Sequence, residues 1–210
     1  MPMIRRILLA LTAVALLALP AQAADLSAQD KADVARVEAY LNTIRTAESR
    51  FTQFASNGEV STGDFHLQRP GKLRFEYDPP VPILIVATGS DLIYFEKELE
   101  QVSYIPVGRT PLGFLLAPTV AFGKDITVDR VQRQPGALAI TGHDTKRPEE
   151  GAVTLVFTEQ PFELRQWIVR DTQGKSTTIS LEGLRTGVTL DPKLFQFVNP
   201  NFTRDGIRPN

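Results

Sequence analysis

The 210-residue sequence contains no cysteine, and this absence excludes several kinds of protein. Without a thiol the chain can form no disulfide, has no thiolate nucleophile or metal ligand, and offers no cysteine for a diacylglyceryl anchor. Histidine is scarce as well: His66 and His143 are far apart, and neither has an aspartate or glutamate at ligand spacing. We therefore expect a protein with no lipid anchor, no metal site and no cofactor.

Catalytic motifs are also missing. Gly89 precedes Ser90, but the Gly-x-Ser-x-Gly frame of a hydrolase nucleophile is not completed. Glu149 and Glu150 stand beside Lys146 and Arg147, a pattern typical of a solvated loop. The sequence therefore predicts that the protein is not an enzyme.

The N-terminus has the pattern of an export signal. Arg5 and Arg6 precede an apolar run from Ile7 to Leu19, and Pro20-Ala21-Gln22-Ala23-Ala24 supplies the small residues of a cleavage site. A membrane anchor is the alternative, but the run is shorter than the roughly 20 residues that span a bilayer. We expect residues 1–23 to be a signal peptide cleaved after about Ala23, and residues 24–210 to form one exported domain.

The charge of the exported part is close to balanced. Loss of Arg5 and Arg6 leaves 21 of the 23 basic residues against 24 acidic ones, a net charge of −3. Such mild acidity argues against binding to nucleic acid and against an electrostatic membrane patch.

One amphipathic helix is predicted from about Ala28 to Thr46. Ser27 and Asp30 have the spacing of a capping box. Apolar residues then recur at helical spacing, at Val34, Val37, Tyr40, Leu41 and Ile44. The narrow apolar stripe indicates a helix that lies on a sheet with its other side in water.

From Phe51 onward the apolar period changes to two, and turn residues such as Asn57-Gly58 and Pro135-Gly136 recur about every ten residues. No repeat and no alternation of strands with helices is visible, which excludes a doubly wound sheet. The sequence predicts a meander of about ten or eleven antiparallel strands.

Two of these strands define the faces of the sheet. Alternation places one apolar set together, namely Phe65, Leu67, Leu73, Phe75 and Tyr77. The polar residues alternate with them, for example Asp64, His66, Arg74 and Glu76. We expect one apolar and one polar face.

A short apolar segment from Thr110 to Pro118 interrupts the meander. Thr110 is a suitable N-cap, Pro111 suits the first helical position, and Pro118 ends the segment. Two helical turns are predicted, with apolar side chains nearly all round, at Leu112, Phe114, Leu115 and Leu116. Such a helix must cover an apolar surface.

Arg69 is anomalous because alternation puts it on the apolar face. The residue either turns out to solvent where Pro70 ends the strand, or donates to backbone carbonyls of the covering segment. The pattern alone does not choose between these alternatives. Trp167 is expected to serve ordinary sheet packing rather than ligand contact, and Phe51 and Phe54 cannot share one face of a regular strand.

Four collinear stretches resemble the LolA family of periplasmic lipoprotein carriers: Phe51-Thr52-Gln53, the run from Gly63 to Pro70, the run from Gly89 to Phe95, and Thr110 to Leu115. The resemblance covers essentially the whole exported chain. It implies an incomplete, half-open antiparallel β-barrel with an N-terminal helix and a short helical lid.

The resemblance also implies what the protein would bind. Triacylated lipoproteins would be taken from an ABC-type releasing complex in the inner membrane and handed by a monomeric carrier to the outer-membrane receptor LolB. Arg69 falls on the lid-latching arginine of the family, with Leu115 and the loop from Gly142 to Glu150 as its partners. A carrier or sensor for another periplasmic amphiphile is the alternative on the same fold.

The lipid-binding cavity implied by the resemblance would be formed by two groups of side chains. The wall residues are Phe51, Phe65, Leu67, Leu73, Phe75, Tyr77, Ile83 and Ile85, and the lid residues are Leu112, Phe114, Leu115 and Leu116. Gly113 stands where the family has a lid methionine.

Overall fold

The structure, a computed structural model, describes residues 26–110, 113–203 and 206–207. The predicted signal peptide, residues 1–23, lies outside the described residues. The first element is α1, Ala28–Thr43. Its capping box is present as predicted, because Ser27 Oγ accepts from the Asp30 N–H and the Asp30 carboxylate accepts from the Ser27 N–H. The helix ends before the predicted Thr46, since Ile44 already has extended backbone and a strand begins at Thr46.

The strands after α1 form one antiparallel sheet of eleven. They are β1 (Thr46–Phe54), β2 (Val60–Gln68), β3 (Lys72–Tyr77), β4 (Ile83–Thr88), β5 (Asp91–Glu96), β6 (Gln101–Pro106), β7 (Ile126–Gln134), β8 (Ala137–Asp144), β9 (Ala152–Glu159), β10 (Phe162–Arg170) and β11 (Ser176–Thr186). Their order is β6-β5-β4-β3-β2-β1-β11-β10-β9-β8-β7. The edges β6 and β7 are not paired with each other, so the predicted open antiparallel barrel is confirmed. Two-residue strands β12 (Phe202–Thr203) and β13 (Gly206–Ile207) form a separate ladder.

The inner face of the sheet carries the core. Phe65 pairs across the strands with Phe75, and Leu67 with Leu73, and all four side chains are buried. Val37 and Leu41 of α1 belong to the same apolar cluster. Alternation in β2 and β3 therefore points apolar residues inward, into the core that also contains the buried side of α1.

A close approach between β1 and β2 fixes one corner of this core. Phe51 lies opposite Gly63 in the strand pairing. A Cβ atom on Gly63 would meet the Phe51 ring at 2.6 Å and would also overlap the Glu76 carbonyl oxygen. Glycine is thus the residue that allows the Phe51 ring to stack edge-on against Phe75 and Tyr77.

The outer face is polar on β2 and β3 but apolar farther along the sheet. Val86 and Ile93 are cross-strand partners that point outward, and both are buried. A 3₁₀ turn, Pro192–Phe195, packs on β3 and β4, and the Arg74 guanidinium donates to the Leu194 carbonyl at 3.1 Å. The C-terminal part of the chain therefore covers this stretch of the outer face.

The segment between β6 and β7 differs from the predicted two-turn helix. Its described part contains two 3₁₀ turns, Val107–Arg109 and Gly113–Leu116, while Leu112 lies outside the described residues. The Thr110 hydroxyl, predicted to cap a helix N-terminus, instead donates to the Val107 carbonyl at 2.8 Å. Glycine at 113 and Pro118 nearby disfavour a longer α-helix. We call residues 113–117 the lid.

Candidate functional site

The candidate site is an apolar cavity of about 310 Å³ between the inner face of the sheet, α1 and the lid. Arg69 and Thr110 are among its few polar lining residues. The volume lies at the low end of the roughly 300–1,000 Å³ typical of ligand pockets. An apolar enclosure of this kind suits hydrocarbon and offers little to a hydrophilic ligand.

Most of the predicted wall and lid residues line this cavity. They are Phe65, Leu67, Leu73, Phe75, Tyr77, Ile85, Leu115 and Leu116. Three other predicted residues are not among those that line it. Phe51 is buried against the rings of Phe75 and Tyr77, while Ile83 and Phe114 are partly buried against the core.

The sequence did not reveal the wall opposite β2 and β3. That wall comes from α1, β10 and β11, and its lining residues include Leu41, Ile44, Leu164, Trp167, Ile179 and Leu181. Trp167 packs edge-on against Phe65 and Phe75 at centroid distances of 5.6 and 6.1 Å, so it packs in the sheet as expected and also lines the cavity. A β-bulge between Leu164 and Gln166 explains why simple alternation missed this face.

Arg69 is buried, with 7% of its surface exposed, so the alternative in which it turns out to solvent is wrong. Its Nε donates to the Leu115 carbonyl of the lid at 2.6 Å, and Nη1 donates to the Leu41 carbonyl in the last turn of α1 at 2.7 Å. The hydrogen bond to Leu41 replaces the expected bonds to the Gly142 to Glu150 loop. One guanidinium thus joins the lid to the helix.

The charge of Arg69 has no carboxylate beside it in the part of the chain that the structure describes. Burial, together with the smaller effect of the nearby Arg45, lowers its pKa to about 10. The group still carries its charge at neutral pH. Leu41 O belongs to the negative end of the α1 dipole, so the helix end partly compensates the guanidinium.

The turn that follows Arg69 makes a second contact with the lid. The Gly71 N–H donates to the Leu116 carbonyl at 2.8 Å. Two consecutive lid carbonyls, those of Leu115 and Leu116, are therefore held by the turn between β2 and β3.

The chain after the lid is fastened to α1. The Asn42 amide donates to the Val120 carbonyl and accepts from the Val120 N–H, both at 2.9 Å. Glu38, one turn earlier, accepts from the Phe122 N–H at 2.7 Å, and Arg45 donates to the Pro118 carbonyl at 2.8 Å. The segment 118–122 is thus anchored along one side of the helix, and the lid has a fixed end.

Tyr77 and Gln53 form a polar pair in the cavity wall. The Tyr77 hydroxyl donates to Gln53 Oε1 at 2.7 Å. Burial raises the pKa of Tyr77 to about 12, so the phenol stays neutral and keeps donating. This hydrogen bond allows a tyrosine to line an apolar cavity without an unpaired hydroxyl.

The two histidines lie away from the cavity. His143 Nδ1 contacts the Asp129 carboxylate at 2.9 Å on the outer side of β7 and β8, and His66 alternates to the outer face of β2. Among the described residues, no three His, Asp or Glu side chains come together as a metal site would require. No helix in the same residues has the length and apolar character for a membrane span.

Comparison with known proteins decides the family. The sequence model described as "Outer membrane lipoprotein carrier protein LolA" matches residues 42–198. The chain belongs to the LolA family. The match extends from the end of α1 to the C-terminal segment, so it includes the lid, the Arg69 turn and every strand of the open barrel.

Two sequence relatives agree with this assignment. An outer-membrane lipoprotein carrier protein of Methylococcus capsulatus is 34% identical over 175 residues, covering 79% of this chain and 83% of the relative. The protein of the same name from Legionella pneumophila is 30% identical, with 78% and 84% covered. The crystal structure of a LolA superfamily protein from Nitrosomonas europaea matches with a TM-score of 0.42 and 12% identity, covering 78% of this chain and 97% of that one.

Proposed function

We propose that this LolA-family protein is a periplasmic chaperone that shelters the acyl chains of lipoproteins in the cavity beneath the lid. The apolar cavity, closed by a lid that a buried arginine holds through main-chain carbonyls, is the observation that carries this proposal. The cavity supplies affinity for hydrocarbon, and the lid controls access to it. The chain acts as a monomeric carrier and performs no catalysis.

The strength of acyl-chain burial explains why a lid is needed. Each buried methylene contributes about 0.8 kcal/mol, so a chain of about sixteen carbons contributes on the order of 12 kcal/mol before ordering costs. A carrier that bound three such chains with no competing state would not release them. The lid packs Leu115 and Leu116 against the empty cavity and so stabilises the free form.

Loading requires the lid to move. With the lid in place the cavity has about 310 Å³, the lower limit for one small ligand, so three acyl chains need the space that the lid occupies. The Arg69 bonds to Leu115 and Leu41 and the Gly71 bond to Leu116 break in this step, while the Asn42 pairing holds the far end. The free energy of these bonds sets the balance between the closed and loaded forms.

The direction of lipoprotein transfer follows from the balance between the closed and loaded forms. The inner-membrane ABC-type complex delivers a triacylated lipoprotein to the open form, and the outer-membrane receptor LolB or an equivalent accepts it as the lid recloses. Residues 1–23 direct export and are removed. The full set of proposed acyl contacts comprises Phe51, Phe65, Leu67, Leu73, Phe75, Tyr77, Ile83, Ile85, Leu112, Phe114, Leu115 and Leu116, together with the wall from α1, β10 and β11.

Native mass spectrometry tests the proposal. The protein is isolated from periplasm without detergent after co-expression with a triacylated lipoprotein, and the matched control is the same cargo with its acylated cysteine replaced. A complex of one carrier with one acylated cargo, absent in the control, supports the proposal. Recovery of the carrier with a different small amphiphile and no lipoprotein would instead favour a general amphiphile carrier.

A further inference from the structure

Trp167 places a hydrogen-bond donor in the cavity wall. The side chain lines the cavity, and only 3% of the residue's surface is exposed. Its indole Nε1 is buried and has no acceptor among the described residues. The ring itself is held by Phe65 and Phe75, so the donor sits on a fixed platform.

Three other polar side chains that line the cavity have hydrogen-bond partners. Arg69 donates to the Leu115 and Leu41 carbonyls, the Tyr77 hydroxyl donates to Gln53, and Thr110 donates to the Val107 carbonyl. Trp167 therefore differs from these groups. A buried N–H without an acceptor weakens a fold, and native proteins rarely keep one without a reason.

The hydrocarbon of an acyl chain cannot accept a hydrogen bond, but the carbonyl at its head can. The aromatic rings of Phe65 and Phe75 are at best weak acceptors for the indole N–H. We propose that Trp167 Nε1 donates to the carbonyl oxygen of the ester or amide that joins an acyl chain to its headgroup. This inference rests on the proposed function, because it names the part of the acyl ligand that the cavity recognises.

The expected consequence is selectivity between chains of equal length. An acyl ester or amide binds more tightly than an ether that has a methylene in place of the carbonyl. One neutral hydrogen bond in a desolvated site accounts for about three- to tenfold in affinity. The carbonyl also sets the depth to which the chain enters the cavity.

The sequence makes the test simple, because Trp167 is the sole tryptophan and gives a single indole signal in a ¹H–¹⁵N spectrum. The probes are 1-monopalmitoylglycerol, the ethanolamide of palmitic acid and 1-O-hexadecylglycerol. We expect the ester, the amide or both to move the indole proton downfield and to bind about three- to tenfold more tightly than the ether. A shift with only one probe identifies the ester or the amide as the recognised group.

Trp167→Phe keeps an aromatic ring against Phe65 and Phe75 and removes the N–H. In a folded Trp167→Phe protein the ratio of carbonyl-probe affinity to ether affinity should fall to about one, whatever the change in overall affinity. Equal binding of all three probes to the unaltered protein, with the indole signal unmoved by the carbonyl, overturns the inference and leaves the proposed function standing. Failure of all three probes to bind overturns both. The measurement on the unaltered protein decides the matter even if the variant does not fold.

Discussion

Asn42 and Val120 are joined by two hydrogen bonds of 2.9 Å, so the side-chain amide on α1 pairs with the backbone of the segment after the lid as a neighbouring strand would. Val120 is 1% exposed, and water cannot easily replace either bond. The lid consequently has one end fixed to the helix and another held by the Arg69–Gly71 turn. Opening at the second end is compatible with retention of the first.

Asn42→Leu should destabilise the protein by about 1–3 kcal/mol, because it leaves the buried Val120 N–H and carbonyl unpaired. Denaturant unfolding measures the loss, and hydrogen exchange at the Val120 amide shows whether it is local. Thr43→Ala is the control, since Thr43 is exposed and its hydroxyl bonds only within the helix, to the Tyr40 carbonyl. Equal effects of the two substitutions would remove the special role of Asn42.

Arg69→Leu should open the lid in the free protein and slow the release of cargo to the acceptor. Two charge-assisted hydrogen bonds of about 1.5–3 kcal/mol each are lost from the closed form, so release should slow by at least about tenfold. Transfer of a labelled lipoprotein to acceptor vesicles measures the rate. Arg45→Leu is the matched control, because it removes a nearby arginine that bonds to Pro118 at the fixed end. Unchanged transfer by Arg69→Leu would remove Arg69 from the mechanism.

Gly113→Ala should prevent the lid from closing fully. A Cβ at this position would overlap the Val107 carbonyl oxygen, whereas a Cβ on Gly108 would meet nothing within 4 Å. An apolar dye that fluoresces in hydrophobic cavities should therefore bind more strongly to Gly113→Ala, while Gly108→Ala should match the unaltered protein. Equal dye binding by both variants would contradict the packing described for the lid.

The buried hydroxyl of Tyr77 should make the folded protein less stable in alkaline solution. Its folded pKa is raised to about 12 by burial, above the ordinary value of 10.0, so the unfolded chain gives up its proton first. The stabilisation is complete below pH 10 and is lost as the pH rises through 12, on the order of 3 kcal/mol. Tyr77→Phe should flatten this fall in denaturation experiments. The phenolate absorbance of the variant is subtracted from that of the unaltered protein at each pH, and the difference should have a midpoint near pH 12. A midpoint near pH 10 would show that the Tyr77 hydroxyl is not buried.

Local patterns in the sequence predicted the elements that depend on neighbours in the chain. The Ser27–Asp30 box located the start of α1, and alternation gave the inner face of β2 and β3. The sheet class and the position of the lid segment followed from the same patterns. These features are set by helix capping and by the period of the strands, which a short stretch of sequence contains.

Features that depend on distant contacts could not be predicted. Leu164 and Trp167 are three residues apart and share the cavity wall because a bulge shifts the register between them, which simple alternation does not anticipate. The Leu41 carbonyl as a partner of Arg69 depends on where α1 ends in space. The outward-facing Val86 is buried, and the Pro192–Phe195 turn, about a hundred residues later in the chain, contacts its strand β4.

The most direct test of the account uses Trp167 as the sole tryptophan on the cavity wall. The carrier is loaded with a lipoprotein whose acyl chains carry bromine atoms, and tryptophan emission is compared with that of the same complex with unbrominated chains. The account predicts strong quenching by the brominated chains, reversed when the cargo passes to the acceptor. Stable binding of the brominated cargo with unchanged emission would show that the acyl chains lie elsewhere on the protein.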